Sequence, residues 1–228
     1  MKIGLIVAIA DEIEAMLAEM GEPVKSETVA GIAIREYNVN GHELFVANSG
    51  AGEIYAAGAA QLLISHFGVQ MLLNFGICGG LTPEMSLCST VIVGKVVHYD
   101  YDVTELDPVE IGQYPGYSDC FIPADEKLIE LAKEVSPELR EVICASADKF
   151  VGNPEKKAEL HRLYNAEICE MEAAGILLTA NRCGVPALLI KAVSDSATGG
   201  AEEFSKMASD AARVAVNTLI KIIDKINQ

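Results

Sequence analysis

Positive charge is what this sequence has least of. Its 228 residues hold 17 lysines and arginines against 33 aspartates and glutamates, a formal net charge of −16. A surface of that sign repels phosphate backbones and anionic lipid headgroups, so nucleic acid and membrane are excluded as partners and a small neutral or cationic ligand is favoured. The six cysteines never form C-x-x-C and the four histidines lack metal-ligand spacing. Neither a disulfide framework, a metal nor a cofactor is therefore expected, and free thiols imply a reducing, cytoplasmic compartment. No stretch reaches the roughly 20 apolar residues that cross a bilayer. The opening MKIGLIVAIA imitates a signal peptide, but secretory signals need roughly 15–30 residues, so a buried first strand is the expectation.

Repeats, low-complexity segments and linkers are also lacking. With half its residues hydrophobic and 22% charged, the chain can build one large core, and residues 1–228 read as a single domain. Residues 2–9 form a near-continuous apolar run, the pattern of a strand covered on both faces, with Asp11 and Glu12 at its exit. Segments 32–39 and 43–48 flank Asn40-Gly41, the dipeptide of a tight hairpin. Helical spacing runs from Gly52 to His66, and a short buried strand follows at 70–75. Further strands are expected at 90–97, 141–147, 166–171 and 186–193, and helices near 124–134, 155–164, 172–183 and 202–224. In the last helix Phe204, Met207, Ala208, Ala211, Ala215, Leu219 and Ile222 share one face, read as structural. Residues 105–123 read as a long loop, a lid or a subunit contact.

Two glycine turns allow close backbone approach to a ligand: Ser49-Gly50-Ala51-Gly52, and Gly76-Ile77-Cys78-Gly79-Gly80. The first is not a dinucleotide fingerprint, because Tyr55 stands where the third glycine belongs. Glu172, in Glu170-Met171-Glu172, and Asp195, in Val193-Ser194-Asp195-Ser196, both fall at strand exits, where open α/β sheets bind ligands. With Glu12, three carboxylates share one sheet edge.

These motifs, namely MKIGLIVAIADEIE, NSGAGEIYAA, NFGICGGL, HYDYDVT, ADKFVGN, CEMEAAGI and AVSDS, resemble in order the methylthioadenosine/S-adenosylhomocysteine nucleosidases of the purine nucleoside phosphorylase superfamily. The resemblance runs nearly end to end. It implies a three-layer α/β/α sandwich around a mixed sheet, a homodimer, a role in methionine salvage, and hydrolysis of the N-glycosidic bond of a purine nucleoside such as methylthioadenosine or S-adenosylhomocysteine. Residue by residue it implies that Glu12 deprotonates the attacking water and Asp195 protonates the purine at N7. Glu172 holds the ribose hydroxyls, Met171 packs under the sugar, Phe150 stacks on the purine, the Val151 backbone meets the base edge, and Ser194 orients Asp195. Ala51 and Ile77, in the glycine turns, join the substrate contacts. Such chemistry needs a protonated Asp195 in a desolvated or hydrogen-bonded setting and an ionised Glu12.

Phe75, Ile77 and Cys78 stand where the family has small polar residues, and Ala201 stands in place of an aromatic over the alkylthio arm. The 5′ pocket is then either shaped for another purine nucleoside or completed by Leu106, Tyr114 or a partner subunit. Two further readings stay open: a phosphorylase, which needs cations to hold phosphate, and a non-catalytic nucleoside-binding protein. The five arginines, Arg35, Arg140, Arg162, Arg182 and Arg213, all lie outside the glycine turns, and Asn74 stands where phosphorylases carry arginine. An anion beside Glu12 would be repelled, which favours water.

Overall fold

In the computed structural model, residues 1–226 are described. The chain begins with β1 (Lys2–Val7), α1 (Ala10–Met20), β2 (Lys25–Val29), β3 (Ile32–Val39), β4 (His42–Asn48) and α2 (Glu53–Leu62), which runs into a π-helical turn. Next come β5 (Met71–Gly80), β6 (Thr90–His98), β7 (Phe121–Pro123), α3 (Glu126–Val135) and β8 (Arg140–Ser146). The last elements are α4 (Pro154–Tyr164), β9 (Ile168–Glu170), α5 (Ala173–Cys183), β10 (Ala187–Asp195) and α6 (Ala201–Ile223).

The strands join in one mixed sheet, ordered β10-β6-β8-β9-β5-β1-β4-β3-β2, with β7 on β6 and a further pairing of β10 with β5. That last pairing closes β5, β10, β6, β8 and β9 on themselves, while β1 to β4 extend as an open wing. β1 runs parallel between β4 and β5, and β10 runs parallel to β5. Strands so placed are buried on both faces, which is why β5 and β10 are buried at every position. Helix α6 packs on β5 and β10 with α1 and α3 against it, while α2 and α5 pack on each other as a second helix group. This is the mixed α/β architecture expected from the alternation of strands and helices.

The hairpin at Asn40-Gly41 is present, both residues at positive φ (49° and 82°), the geometry of a type I′ turn. A second hairpin, β2 to β3, turns on Ala30 and Gly31 in the same conformation (50° and 83°). Alanine rarely adopts it, so neither that turn nor β2 announced itself in the sequence. Helices α3 and α4 start at side-chain caps, Asp125 accepting from Leu128 N and Asn153 from Lys156 N.

Three expectations change. Glu12 is not in a loop but in the first turn of α1, which the strand reading overlooked. Gly76 to Gly80 is not a turn but the end of β5, paired with both β10 and β9. The 105–123 loop ends in β7, and Tyr114 in it stacks on Tyr101 with ring centroids 3.9 Å apart and bonds His98 Nδ1 at 2.8 Å.

Candidate active site

Carboxyl ends of strands converge on one cavity. After β1 come Ala8, Ile9 and Glu12; after β4, Ala51; at the end of β5, Ile77, Cys78 and Gly79. Phe150 and Val151 follow β8, Met171 and Glu172 follow β9, and Ser194 and Asp195 end β10. All nine residues singled out in the sequence therefore line the same cavity. Phe204, read as structural, lines it too, its ring edge-on to Phe150 with centroids 5.4 Å apart. Ala201, Phe75, Leu106 and Tyr114 do not: Phe75 is fully buried in the core and Leu106 is largely exposed.

Glu12 owes its position to the β1–α1 junction. As the third residue of α1 it reaches back over the helix start, Oε2 accepting from Ala8 N (2.9 Å) and Ile9 N (3.2 Å), while Oε1 accepts from Ile77 N at 3.0 Å. Burial pushes its carboxyl up, opposed by Lys191 and those backbone donors. A base moved toward neutrality takes a proton from water more readily than an ordinary carboxylate. Gly76 makes the arrangement possible: a Cβ there would lie 2.6 Å from Glu12 Oε1.

Glu172 immediately precedes α5, and Gly52 N donates to its Oε1 at 2.9 Å. Burial first, then the neighbouring Glu170, raise it to about 7. Glu170 is the opposite case. Burial acts on it as well, yet Lys191, Ser146 and backbone donors outweigh that and hold it below its ordinary value. Its Oε2 pairs with Lys191 Nζ at 2.9 Å and accepts from Glu172 N and Ala173 N at the start of α5, where a helix favours an anion.

Asp195 sits at a bulge. Between Val193 and Asp195 the β10 register against β5 slips by one, which re-aims the chain toward the cavity. Its Oδ1 lies 2.9 Å from Ser194 Oγ, which is also 3.1 Å from Cys78 O, so the one hydroxyl proton serves one or the other acceptor. Its Oδ2 accepts from Lys157 Nζ at 2.5 Å, and that ammonium also donates to Ser196 O. Burial and a hydroxyl partner are present, but the carboxyl group is also one half of an ion pair with an ammonium wholly buried on α4, which the sequence reading did not foresee.

Sequence reasoning missed both lysines. Lys191 had a signal, since a lysine inside the buried run ALLIKAVSD must find a carboxylate. Lys157 had none, because α4 reads as a polar helix. Neither lysine lines the cavity; the described lining residues include one cation, Lys149, and four carboxylates, Glu12, Glu170, Glu172 and Asp195. Asn74 offers no anion site either: it is buried, its Nδ2 bonded to Ile6 O and Phe75 O. Among the described residues no cluster suited to a metal ion occurs.

Comparison with known proteins agrees with this geometry. The model of the phosphorylase superfamily matches residues 2–226. An aminodeoxyfutalosine nucleosidase of Campylobacter jejuni is 32% identical over 99% of this chain and all of that protein. A 5′-methylthioadenosine/S-adenosylhomocysteine nucleosidase of Shewanella loihica is 34% identical over 86% of this chain and 87% of its own. The native structure of futalosine hydrolase from Helicobacter pylori superposes with a TM-score of 0.93 at 28% identity, covering 99% of this chain and 98% of that one. With the motifs, the mixed sheet and the strand-end cavity, these matches show that the chain belongs to the phosphorylase superfamily and, within it, to the methylthioadenosine/S-adenosylhomocysteine nucleosidase family.

Proposed function

We propose that this chain hydrolyses the N-glycosidic bond of a purine nucleoside carrying an extended 5′ substituent, methylthioadenosine or S-adenosylhomocysteine first. One observation carries the choice of water over phosphate: four carboxylates line the cavity against one lysine, itself paired with Asp100. A phosphate dianion placed among them would be repelled, whereas water is a neutral nucleophile that Glu12 can deprotonate.

In the proposed reaction, Glu12 takes a proton from water as its oxygen attacks C1′. The glycosidic electron pair leaves with the purine, and Asp195 passes to N7 a proton that it takes up from the Lys157 ammonium on its Oδ2. Glu172 accepts from the ribose hydroxyls, Met171 lies under the sugar, Phe150 stacks on the base and the Val151 backbone meets its edge. Ser194 holds Asp195, while Ala51 and Ile77 close the walls. Positive charge developing on the sugar is stabilised by the surrounding carboxylates.

A second substrate is favoured by the relatives named for aminodeoxyfutalosine and futalosine. Purified protein is expected to release adenine from methylthioadenosine, S-adenosylhomocysteine or aminodeoxyfutalosine in phosphate-free buffer, followed by chromatography. Release that requires added phosphate would overturn the hydrolase in favour of the phosphorylase.

Phe204 supports a pocket for an apolar 5′ arm, since its ring and Phe150 form one aromatic corner of the cavity. Phe204→Ala is expected to raise KM for methylthioadenosine by about 3- to 10-fold with little change in kcat, the size of one lost aromatic contact. An unchanged KM would remove Phe204 from the pocket's function.

Homodimer formation belongs to the same proposal. Ile54 and Tyr55, at the start of α2 beside Ala51, are 80% and 65% exposed, and a second copy would cover them. A reducing, cytoplasmic setting is supported by six free cysteines, and a place in methionine salvage follows if methylthioadenosine is the preferred substrate.

A further inference from the structure

Behind the cavity lies a carboxyl group that the proposed reaction does not use. Glu53, in the first turn of α2, is buried, and both of its oxygens are occupied. Its Oε2 accepts from Gly175 N in α5 at 2.5 Å. Its Oε1 meets the hydroxyl of Ser146 at the end of β8, and that hydroxyl also meets Glu170 Oε1 at 2.5 Å. Ser146 Oγ receives a further N–H from Ala174 at 3.3 Å.

A serine hydroxyl has one proton to give and stands here between two carboxyl groups. If both were ionised, one oxygen pair would be left in contact without a proton between them. Glu170 is the group fixed as an anion, because Lys191 and the backbone N–H groups of Glu172 and Ala173, at the start of α5, converge on it. Among the described residues no ammonium or guanidinium pairs with Glu53. The groups around it are Ser146, Glu170, Glu172 and Asp148, whose Oδ1 accepts from Glu53 N, with Tyr114 further out and Lys191 beyond Glu170. The proton must therefore reside on Glu53, and the chain runs in one direction: Glu53 donates to Ser146, and Ser146 donates to Glu170.

We propose that Glu53 is a positioning residue that works as a neutral carboxylic acid, fastening the start of α2 to β8 and α5 so that the backbone N–H of Gly52 stays on the ribose-binding Glu172. The fastening is direct, since Gly52 precedes Glu53 and donates to Glu172 Oε1. Gly52 itself has φ +112°, and a Cβ there would lie 2.7 Å from Asp148 Oδ1, so this turn has little room to adjust. Burial, then the charge of Glu170, push the Glu53 carboxyl up to about 8. Its proton is thus present at neutral pH and lost under mildly alkaline conditions, when two adjacent anions would share one hydroxyl.

Only the kinetic part of the test rests on the nucleosidase reading. In the wild type, KM should rise by about 5- to 10-fold between about pH 7 and about pH 9 as the turn loosens. Ionisation of Glu172 in the same range acts the other way, by making a better acceptor for ribose hydroxyls, and cannot mimic this rise. Glu53→Gln keeps the shape, an N–H donor for Ser146 and an oxygen for Gly175 N, so it should match wild-type KM at neutral pH and lose the alkaline rise. A tenfold higher KM at neutral pH, or an alkaline rise that persists in the variant, would overturn the proposal.

The second readout is the melting temperature against pH, which requires no substrate. A carboxyl raised from 4.5 to about 8 in the fold contributes stability that is complete below the unfolded value and is lost as pH rises through the folded one. Wild type should therefore lose stability relative to Glu53→Gln between those two values and run parallel to it above them. Parallel curves throughout would show that Glu53 carries no proton, whatever the enzyme's substrate.

Discussion

Glu12→Gln is expected to lower kcat by about 10²- to 10⁴-fold, the contribution of one positioned general base, with nucleoside binding largely retained. The carboxylate accepts three backbone N–H bonds, two on one oxygen and one on the other. A glutamine has one accepting oxygen, so its amide N–H₂ must face either Ile77 N or the pair from Ala8 and Ile9, donor against donor. Neither orientation restores a base, because an amide oxygen is far too weakly basic to take a proton from water. The local structure survives in part, because two of the three bonds can still form around the amide oxygen. Initial rates of base release and equilibrium titration with a non-hydrolysable nucleoside distinguish the two effects. A rate within a few-fold of wild type would remove Glu12 from the reaction, and lost binding without lost turnover at saturation would make it a substrate holder.

How far the sequence foretold this site can be traced residue by residue. The strand exits were legible because parallel strands covered on both faces give unbroken apolar runs, and ligands gather at their carboxyl ends. Glu172 and Asp195 were found in that way, and the order of motifs supplied the rest. Helix α1 was not legible: it starts three residues after β1 ends, and its Ala10-Asp11-Glu12 reads equally well as a polar loop. The Gly76–Gly80 segment read as a turn, since glycine is the usual turn residue. In the fold these glycines make room in a strand, with Glu12 over Gly76 and Asp195 over Gly79. Phe204 was assigned to the core because it keeps step with Met207, Ala208 and Ala211; helical periodicity cannot tell that the first turn of α6 reaches the cavity. The ion pairs Lys157–Asp195 and Lys191–Glu170 join residues 38 and 21 positions apart in sequence, a proximity created only by the closed part of the sheet.

Asp195→Asn should abolish turnover by a comparable factor of about 10²- to 10⁴-fold, and the buried ion pair dictates how that result must be read. Asparagine fits the same space and still offers Lys157 an oxygen, but it can neither take up a proton from that ammonium nor pass one to N7. It also leaves the ammonium of Lys157, wholly buried, without an anion. Breaking one side of a buried pair in this way typically costs about 3–5 kcal/mol of stability, so the single variant is expected to melt well below wild type, and inactivity alone would be ambiguous. The double variant Lys157→Met/Asp195→Asn removes the orphaned charge with its partner. It should recover most of the melting temperature while remaining as inactive as Asp195→Asn. Recovery of base release together with stability would show that Asp195 serves only to hold Lys157 and that the proton to the purine comes from elsewhere. Stability regained without activity assigns the missing step to the carboxyl group at the end of β10.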